Sequence, residues 1–167
     1  MNKAVFYDRD GIVNFEVGDY ITRVEDFKLL PSFISFLKQM QEAGYLAVII
    51  TNQAGIAKGR YNSDTLKQMH AKLEIELKTE NLKVDAIYYC PHHDEYGKCL
   101  CRKPHSLLVE KALARFQIDP KQSFMIGDKL RDKQCAEAAG VKGYVIHPNP
   151  ELEDLMNIYQ SFLYDKA

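Results

Sequence analysis

The sequence has no excess of charge of either sign and no long hydrophobic run. Its 167 residues include 22 lysines and arginines against 23 aspartates and glutamates, a net charge of −1. We therefore expect no general electrostatic attraction to nucleic acid or to anionic membranes, and neither as a partner. No apolar stretch approaches the roughly 20 residues that a membrane-spanning helix needs. The N-terminus enters a strand without a leader, which predicts a cytosolic protein.

Internal repeats, low-complexity segments and linker-like stretches are also missing from the sequence. A chain of 167 residues with 46% hydrophobic side chains suffices for one domain with a sizeable core. We predict a single domain over residues 1–167 and expect it to be a monomer. Cysteines number only four, but three of them lie within twelve residues. In a cytosolic chain this clustering favours metal or thiol chemistry over disulfides.

Two carboxylates stand directly after the first apolar run. The run Ala4–Tyr7 is typical of a strand buried on both faces, which places Asp8 and Asp10 at its carboxyl end. Such a pair can hold a divalent cation, or can act as nucleophile and proton donor. An Asx-type turn that ends the strand is the alternative.

Strand and helix patterns alternate along the whole chain. This alternation predicts an α/β fold with a doubly wound parallel sheet covered by helices on both faces. Strands are predicted at residues 4–7, 45–50, 84–89, 123–126 and 144–146. Helices are predicted from Pro31 to Gly44, from a cap at Asn62 or Ser63, at about 106–116 and 130–139, and after Pro148.

Strand-to-helix loops of a parallel sheet open on one edge, so distant polar residues should meet there. The residues that this argument brings together are Asp8, Asp10, Thr51, the segment 90–103 and Asp128. They include acids, a hydroxyl and a lysine. Transfer of a phosphoryl group to an aspartate needs such a set, with a magnesium ion held by the acids.

The cysteine cluster contains two short pairs. Cys90 and His92 form one, and Cys99 and Cys101 the other, each with a single intervening residue. Three thiolates and an imidazole can close a tetrahedral zinc site, although the spacing is tighter than in zinc fingers. His93 is the rival ligand, but alternation in an extended segment points it the other way. The fourth cysteine, Cys135, is predicted to be a buried structural thiol.

The ordered motifs resemble those of the haloacid dehalogenase-like phosphatases. The segments that carry this resemblance are Asp8-Arg9-Asp10-Gly11, Thr51-Asn52-Gln53, Lys103 and Gly127-Asp128. Tyr88 to His93 and Cys99 to His105 narrow it to the D-glycero-D-manno-heptose 1,7-bisphosphate phosphatases, with histidinol-phosphate phosphatases as close relatives. The resemblance extends to about Ile146. It implies a magnesium-dependent phosphatase with an aspartyl-phosphate intermediate, most simply one that removes the 7-phosphate of the heptose bisphosphate.

The resemblance also implies a role for each matching residue. Asp8 would be the nucleophile, and Asp10 the acid and base that also lends its backbone carbonyl to magnesium. Thr51 and Lys103 would bind phosphoryl oxygens, and Asp128 would complete the magnesium site. Asp132 would orient Lys103 or a metal-bound water. A structural zinc site at Cys90, His92, Cys99 and Cys101 would stiffen the loop 90–101.

Substrate choice is expected to depend on short loops, because neither 11–30 nor 90–103 is long enough for a large cap domain. The predicted substrate-binding residues are Glu16, Asp19, Tyr20, Asn52, Gln53, Arg102 and Lys129. Arg102 could meet a second phosphate, whereas Glu16 or Asp19 could meet the amine of histidinol phosphate. Histidinol phosphate or another small phosphomonoester is therefore the alternative substrate.

The sequence departs from the family pattern at two places, and two other classes of protein are alternatives. Ile12 replaces the threonine that commonly follows the two acids, and the stretch between His92 and Cys99 is short. A phosphorylation-receiver domain would carry its phosphoacceptor after the third strand, where this chain has Cys90. A zinc-dependent interaction module would leave the order of Thr51 and Lys103 unexplained. His70, His105 and His147 are predicted to be surface or satisfied residues.

Overall fold

The computed structural model describes residues 1–166, which form five strands and five α-helices in the predicted alternation. The elements in chain order are β1 Lys3–Tyr7, α1 Pro31–Glu42, β2 Tyr45–Asn52, α2 Ser63–Thr79, β3 Ala86–Cys90, α3 Leu107–Phe116, β4 Phe124–Gly127, α4 Leu130–Ala138, β5 Lys142–Val145 and α5 Leu152–Tyr164. All the strands pair in parallel, in the spatial order β3-β2-β1-β4-β5. The predicted doubly wound parallel sheet is confirmed.

The central strand β1 is buried on both faces because helices cover the sheet on both sides. Val5 and Tyr7 belong to the core under α1, α2 and α5, whereas Ala4 and Phe6 belong to the core under α3 and α4. Successive side chains of a strand point to opposite faces, so an unbroken apolar run is what a strand covered on both faces requires.

The helix boundaries follow the local signals. Pro31 occupies the first turn of α1, and Gly44 follows that helix with a φ of +82°, a conformation that favours glycine. Of the two caps predicted for α2, Asn62 is the one used, because its side chain accepts a hydrogen bond from Thr65 N at 2.8 Å.

All five strands differ from their predicted bounds by one or two residues. β2 continues to Asn52 because Thr51 and Asn52 pair with β3. β3 begins two residues later than predicted and ends one residue later, at Cys90. β5 begins at Lys142, two residues earlier than predicted. Gly143 has no side chain from which a strand could be predicted. Glycine is needed there because a Cβ would approach Lys133 Cα on α4 to 2.7 Å.

The strand order creates a switch point between β1 and β4. From β1 the chain moves to β2 and β3 on one side, and then returns to place β4 and β5 on the other side. Ligands of open α/β sheets bind at the carboxyl ends of strands at such a point. Asp8 follows β1 and Asp128 follows β4, so both acids lie there.

The segment 11–30 contains one short 3-10 helix, Val24–Asp26, and residues 1–166 include no large cap domain. Within the same residues, none of the helices is both long and apolar enough to cross a membrane.

Candidate active site

Asp8 lies one residue beyond β1 on a fixed backbone. Its N–H donates to Ile126 O on β4 at 2.9 Å, which extends the parallel hydrogen-bonding pattern past the end of the strand. The residue is 7% exposed. Burial raises the pKa of Asp8 to about 7, against the opposing charge of Lys103. A cation bound beside Asp8 would favour the ionised, nucleophilic form of the carboxyl group.

Lys103 brings a buried ammonium group to Asp8. Its Nζ lies 2.7 Å from Asp8 Oδ1 and 2.7 Å from Asp132 Oδ1, and it donates to Ile50 O at 2.7 Å. These oxygens match the three N–H donors of an ammonium group. Burial alone would lower the pKa of Lys103, but the charges of Asp8 and Asp132 raise it, so the side chain stays charged.

Asn52 holds the backbone of Lys103. Asn52 Oδ1 accepts a hydrogen bond from Lys103 N at 3.0 Å, and Asn52 Nδ2 donates to Lys103 O at 3.2 Å. The amide that the sequence suggested for substrate binding therefore faces the main chain of the lysine.

Asp132 lies where it can orient Lys103. The residue is fully buried in the first turn of α4, and its Oδ2 accepts from Lys129 N at 3.0 Å while Oδ1 contacts the lysine ammonium. Gly127 makes room for it, because a Cβ on that residue would overlap the carboxyl group of Asp132. The glycine that precedes Asp128 is thus needed for the approach of a second acid.

Asp10 is surrounded by hydrogen-bond donors. Its Oδ1 accepts from Arg9 Nη2 at 2.8 Å and from Asn14 Nδ2 at 3.0 Å, and its Oδ2 accepts from Gln53 Nε2 at 3.0 Å. Burial alone would raise the pKa of Asp10, but Arg9 and these hydrogen bonds hold the pKa below its ordinary value. This differs from the raised proton affinity that an acid role requires, because the donors stabilise the charged form.

Gln53 lies between Asp10 and Thr51. The residue is 2% exposed, and its Nε2 donates to Thr51 Oγ1 at 2.9 Å as well as to Asp10. Its Oε1 accepts from the hydroxyl of Tyr61. Although Gln53 borders the cavity, these protein groups already engage the side-chain amide that the sequence assigned to substrate.

Three acids fit a divalent cation. Carboxylate oxygens of Asp8, Asp128 and Asp132 lie within 4.8 Å of one another, and magnesium prefers oxygen ligands. Lys103 already occupies one oxygen of Asp8 and one of Asp132. Both oxygens of Asp132 are engaged, since its Oδ2 also accepts from Lys129 N. Within residues 1–166, Asp8 and Asp128 each keep one oxygen without such a contact, and Lys129 Nζ lies 2.6 Å from Oδ2 of Asp128. The pair Asp8 and Asp128 is accordingly the part of the cluster best placed to bind the ion.

The predicted zinc ligands converge after β3. Cys90 Sγ lies 3.1 Å from Cys101 Sγ and 3.6 Å from Cys99 Sγ, and His92 Nδ1 lies 3.3 Å from Cys101 Sγ. Sulfur atoms that share a tetrahedral zinc ion lie about 3.8 Å apart, so this donor set fits zinc. The rival ligand His93 instead turns its Nδ1 toward Glu95, accepting from Glu95 N at 3.3 Å.

A cavity of about 440 Å³ opens above the acids. The predicted residues that line it are Asp8, Asp10, Glu16, Asp19, Tyr20, Gln53, Asp128 and Lys129. The lining does not include Thr51 and Lys103, which are buried beneath it, or Asn52 and Arg102. Arg102 turns to the zinc-cluster loop, where it donates to His92 O at 3.2 Å and lies 3.4 Å from Asp94.

The wall formed by the segment 11–30 is tied to the loop after β2. Arg60 lies 3.1 Å from Asp19 Oδ2, and its guanidinium is 5.7 Å from the centre of the Tyr20 ring. Lys58 lies 5.9 Å from the same ring. Asp19 is therefore already paired with a cation.

Besides Gly18 and Ile21, three residues of the cavity were not recognised from the sequence as parts of the site. Arg9 is 1% exposed and packs over Phe27 at 5.3 Å while it binds Asp10. Tyr61 reaches Gln53, and Arg131 reaches the cavity from α4. Arg9 stands between the two acids of the motif, which is a signal that it could carry a role. Arg131 likewise lies between the acids of a motif, Asp128 and Asp132, whereas the position of Tyr61 offers no such signal.

The other predicted side chains fall in two groups. Cys135 is fully buried and its thiol donates to His105 O at 3.1 Å, as predicted for a structural thiol. The prediction for His70 was wrong: it lies on α2, partly buried beside Tyr89, and its Nε2 has no hydrogen-bond partner within residues 1–166. Its apolar neighbours on α2 gave no indication that the ring points inward.

Comparison with known proteins identifies the family. A family model described as "HAD-hyrolase-like" matches residues 100–149. The D-glycero-beta-D-manno-heptose-1,7-bisphosphate 7-phosphatase of Haemophilus influenzae is 40% identical over 152 residues, covering 87% of this chain and 82% of that protein. The enzyme of the same name from Haemophilus ducreyi is 42% identical over 150 residues, covering 86% of this chain and 82% of that protein.

A solved structure agrees with these relatives. The crystal structure of D,D-heptose 1,7-bisphosphate phosphatase from B. bronchiseptica, complexed with magnesium and phosphate, superposes with a TM-score of 0.81 at 29% identity. The match covers 95% of this chain and 87% of that one. With identities of this size over most of both lengths, the chain belongs to the haloacid dehalogenase-like superfamily and, within it, to the family of D-glycero-beta-D-manno-heptose-1,7-bisphosphate 7-phosphatases.

Proposed function

We propose that this chain is a magnesium-dependent phosphatase that removes the 7-phosphate of D-glycero-D-manno-heptose 1,7-bisphosphate. The observation that carries the proposal is the position of Asp8. Its carboxylate lies at the switch point of the sheet, against the ammonium of Lys103 and beside Asp128. A buried carboxylate held between a cation and a metal-binding acid has the surroundings that a nucleophile toward phosphorus requires.

In the first step, an oxygen of Asp8 attacks phosphorus and the bond to the sugar oxygen breaks. We assign the other phosphoryl oxygens, on which the negative charge is spread, to Thr51 and Lys103. The ammonium of Lys103 must then exchange one of its three present acceptors for a phosphoryl oxygen. Asp10 donates a proton to the departing sugar oxygen. The free site favours the ionised form of Asp10, and the incoming phosphate dianion promotes proton uptake because nearby negative charge raises the pKa of a carboxyl group.

In the second step, Asp10 works in the opposite direction. As a carboxylate it accepts a proton from a water molecule, whose oxygen attacks the phosphorus of the aspartyl-phosphate. The bond to Asp8 breaks, which releases inorganic phosphate and restores both carboxyl groups. The hydrogen bonds from Arg9, Asn14 and Gln53 keep Asp10 in place during both transfers.

Two metals are proposed with different purposes. Asp8, Asp128 and the backbone carbonyl of Asp10 would hold magnesium, which supplies positive charge for the phosphoryl group. Cys90, His92, Cys99 and Cys101 would hold zinc, with four protein ligands and no open position. Their purpose is to stiffen the loop 90–101, which has no apolar core of its own.

Two cationic side chains of the cavity favour an anionic group on the substrate. Lys129 and Arg131 both line the cavity. Lys129 Nζ lies 2.6 Å from Asp128 Oδ2, whereas Arg131 forms no ion pair within residues 1–166. We assign the distal phosphate of the substrate to Arg131. The amine of histidinol phosphate finds less support, because Asp19 is paired with Arg60 and Glu16 accepts from Gly18 N at 2.7 Å.

The remaining proposals concern the molecule as a whole. We infer that residues 1–167 form one catalytic domain that works as a monomer in the cytosol. Residues of this one chain line the whole cavity, which supports a single catalytic domain. The near-neutral net charge of −1 supports a small-molecule substrate over nucleic acid or a membrane surface.

The test is phosphate release from a panel of substrates in magnesium. The panel holds both anomers of the heptose bisphosphate, fructose 1,6-bisphosphate and histidinol phosphate, and Asp8→Asn is the matched control. We expect a heptose bisphosphate to have the highest kcat/KM and Asp8→Asn to fold without turning over. Preference for histidinol phosphate would transfer the assignment to that alternative. An Asp8→Asn rate above about a tenth of wild type would contradict the mechanism.

A further inference from the structure

The amide of Gln53 is held in one of its two possible orientations. An amide side chain offers an oxygen that accepts and a nitrogen that donates two hydrogen bonds. Here the oxygen faces the hydroxyl of Tyr61, while the two N–H groups reach Asp10 Oδ2 at 3.0 Å and Thr51 Oγ1 at 2.9 Å. Every hydrogen-bonding atom of this amide therefore has a partner of the matching kind.

Tyr61 is the residue that fixes this orientation. The phenol is 9% exposed, and burial raises its pKa to about 12, so its oxygen keeps the proton that it donates. A rotation of the Gln53 amide by half a turn would set N–H against O–H at Tyr61, and oxygen against the carboxylate of Asp10. Both of these contacts are unfavourable.

The sequence makes room for this contact at Gly55. A Cβ on Gly55 would overlap the ring of Tyr61, so the loop after β2 can fold back onto Gln53 only with glycine there. The main chain of Gln53 is fixed independently, since its N–H donates to Cys90 O at 2.7 Å. Backbone and side chain are thus both constrained at this position.

The orientation determines what Thr51 can do. Because Thr51 Oγ1 accepts a hydrogen bond from Gln53, its own proton is left for another acceptor. The contact with Asn52 O is 3.5 Å long and weak. The hydroxyl can therefore donate to a phosphoryl oxygen. At the same time the second N–H of Gln53 aims at Asp10 and steadies the ionised carboxylate.

We infer that Tyr61 is a positioning residue, which through Gln53 sets Thr51 as a hydrogen-bond donor toward the phosphoryl group and steadies Asp10. The inference rests on the proposed phosphatase function and extends it to a residue to which that mechanism gives no role. These three hydrogen bonds run in one direction: the phenol of Tyr61 donates to the amide of Gln53, which donates to Thr51 and to Asp10.

The test is Tyr61→Phe, which removes one oxygen and keeps the ring beside Gly55. We expect kcat to fall by about two- to tenfold, the effect of one hydrogen bond, with KM unchanged. Tyr144→Phe is the matched control, since Tyr144 lies on β5 away from the cavity and its phenol donates to Asp165 at 3.4 Å. Its kcat should equal that of wild type. Melting temperatures of both variants identify any loss that comes from unfolding.

A double-mutant cycle with Gln53→Met then separates positioning from other effects. Methionine keeps the length of the side chain and removes its amide. In that background Tyr61→Phe should cause no further loss, because the phenol acts only through the amide. An unchanged kcat in Tyr61→Phe, a loss confined to KM, or a loss of equal size in both backgrounds would overturn the inference. Absence of phosphatase activity in the wild type would instead refute the proposed function.

Discussion

The side-chain amide of Asn52 binds both backbone polar groups of Lys103, across a sequence separation of 51 residues. The amide thereby substitutes for the strand that would otherwise pair with this loop residue. The hydrogen bonds with Asn52 fix the backbone of Lys103, from which the side chain extends to Asp8.

Replacement of Asn52 by alanine should therefore misplace Lys103. We expect Asn52→Ala to lower kcat/KM by about tenfold or more, because the loss of two hydrogen bonds frees the backbone from which the ammonium extends. Zinc content should stay at the wild-type level. Steady-state kinetics and metal analysis on the same preparation check this. A variant with full activity would show that the zinc-cluster loop alone holds Lys103.

The complementary change removes a zinc ligand. Cys101→Ser should reduce zinc content and melting temperature, and should lower kcat/KM, since Cys101 lies two residues before Lys103. Cys135→Ser is the matched control, because that thiol is buried on α4 outside the cluster. If Cys101→Ser lost its zinc but turned over substrate normally, Asn52 would be sufficient to position the lysine.

Arg131 provides a test of substrate choice. Arg131→Met should raise KM for the heptose bisphosphate by about tenfold, the effect of one charge-assisted hydrogen bond, and leave KM for a monophosphate unchanged. Lys133→Met is the control, since that side chain points to Glu137 on the surface of α4 at 3.8 Å. An equal rise in KM for both substrates would show that Arg131 does not bind the distal phosphate.

His70 is expected to make the protein sensitive to mild acid. Burial, with a smaller contribution from the charge of Arg9, lowers the pKa of His70 from 6.5 to about 4. The unfolded chain therefore takes up a proton first as the pH falls. The free energy of unfolding should decrease between about pH 6.5 and pH 4 by up to about 3 kcal/mol.

Denaturant unfolding of His70→Gln across this pH range checks the assignment. The variant should lose less stability than wild type on acidification, because glutamine does not titrate. His147→Gln serves as the control, since His147 is exposed beside Asp154. Parallel pH profiles for wild type and His70→Gln would contradict this prediction.

The sequence predicted most of the fold because the strands of a sheet covered on both faces must be continuously apolar. The same pattern predicted which loops meet, and hence the assembly of Asp8, Thr51, Lys103 and Asp128. What it could not give was the direction of individual side chains. Asn52 looks like a ligand in the sequence, yet it turns to a backbone that is distant along the chain.

Tyr61 shows a second limit of sequence-based reasoning. Its contact with Gln53 depends on a close approach over Gly55, and a missing side chain does not reveal what fills its space. Arg9 illustrates the same difficulty, since a charged residue inside a motif is expected to face solvent or substrate. It is buried instead, because Asp10 neutralises it and Phe27 covers it.

The central position of β1 has a consequence for the order of folding. Its neighbour β2 follows within 50 residues, but its other neighbour β4 joins it through contacts such as Ala4 N–H to Ser123 Oγ, which span 119 residues. Closing so long a loop costs entropy before the contact stabilises the chain. Asp8 thus acquires its surroundings only when nearly the whole chain is available. During synthesis, Asp8 should emerge from the ribosome early, but its site should form only near the end of synthesis.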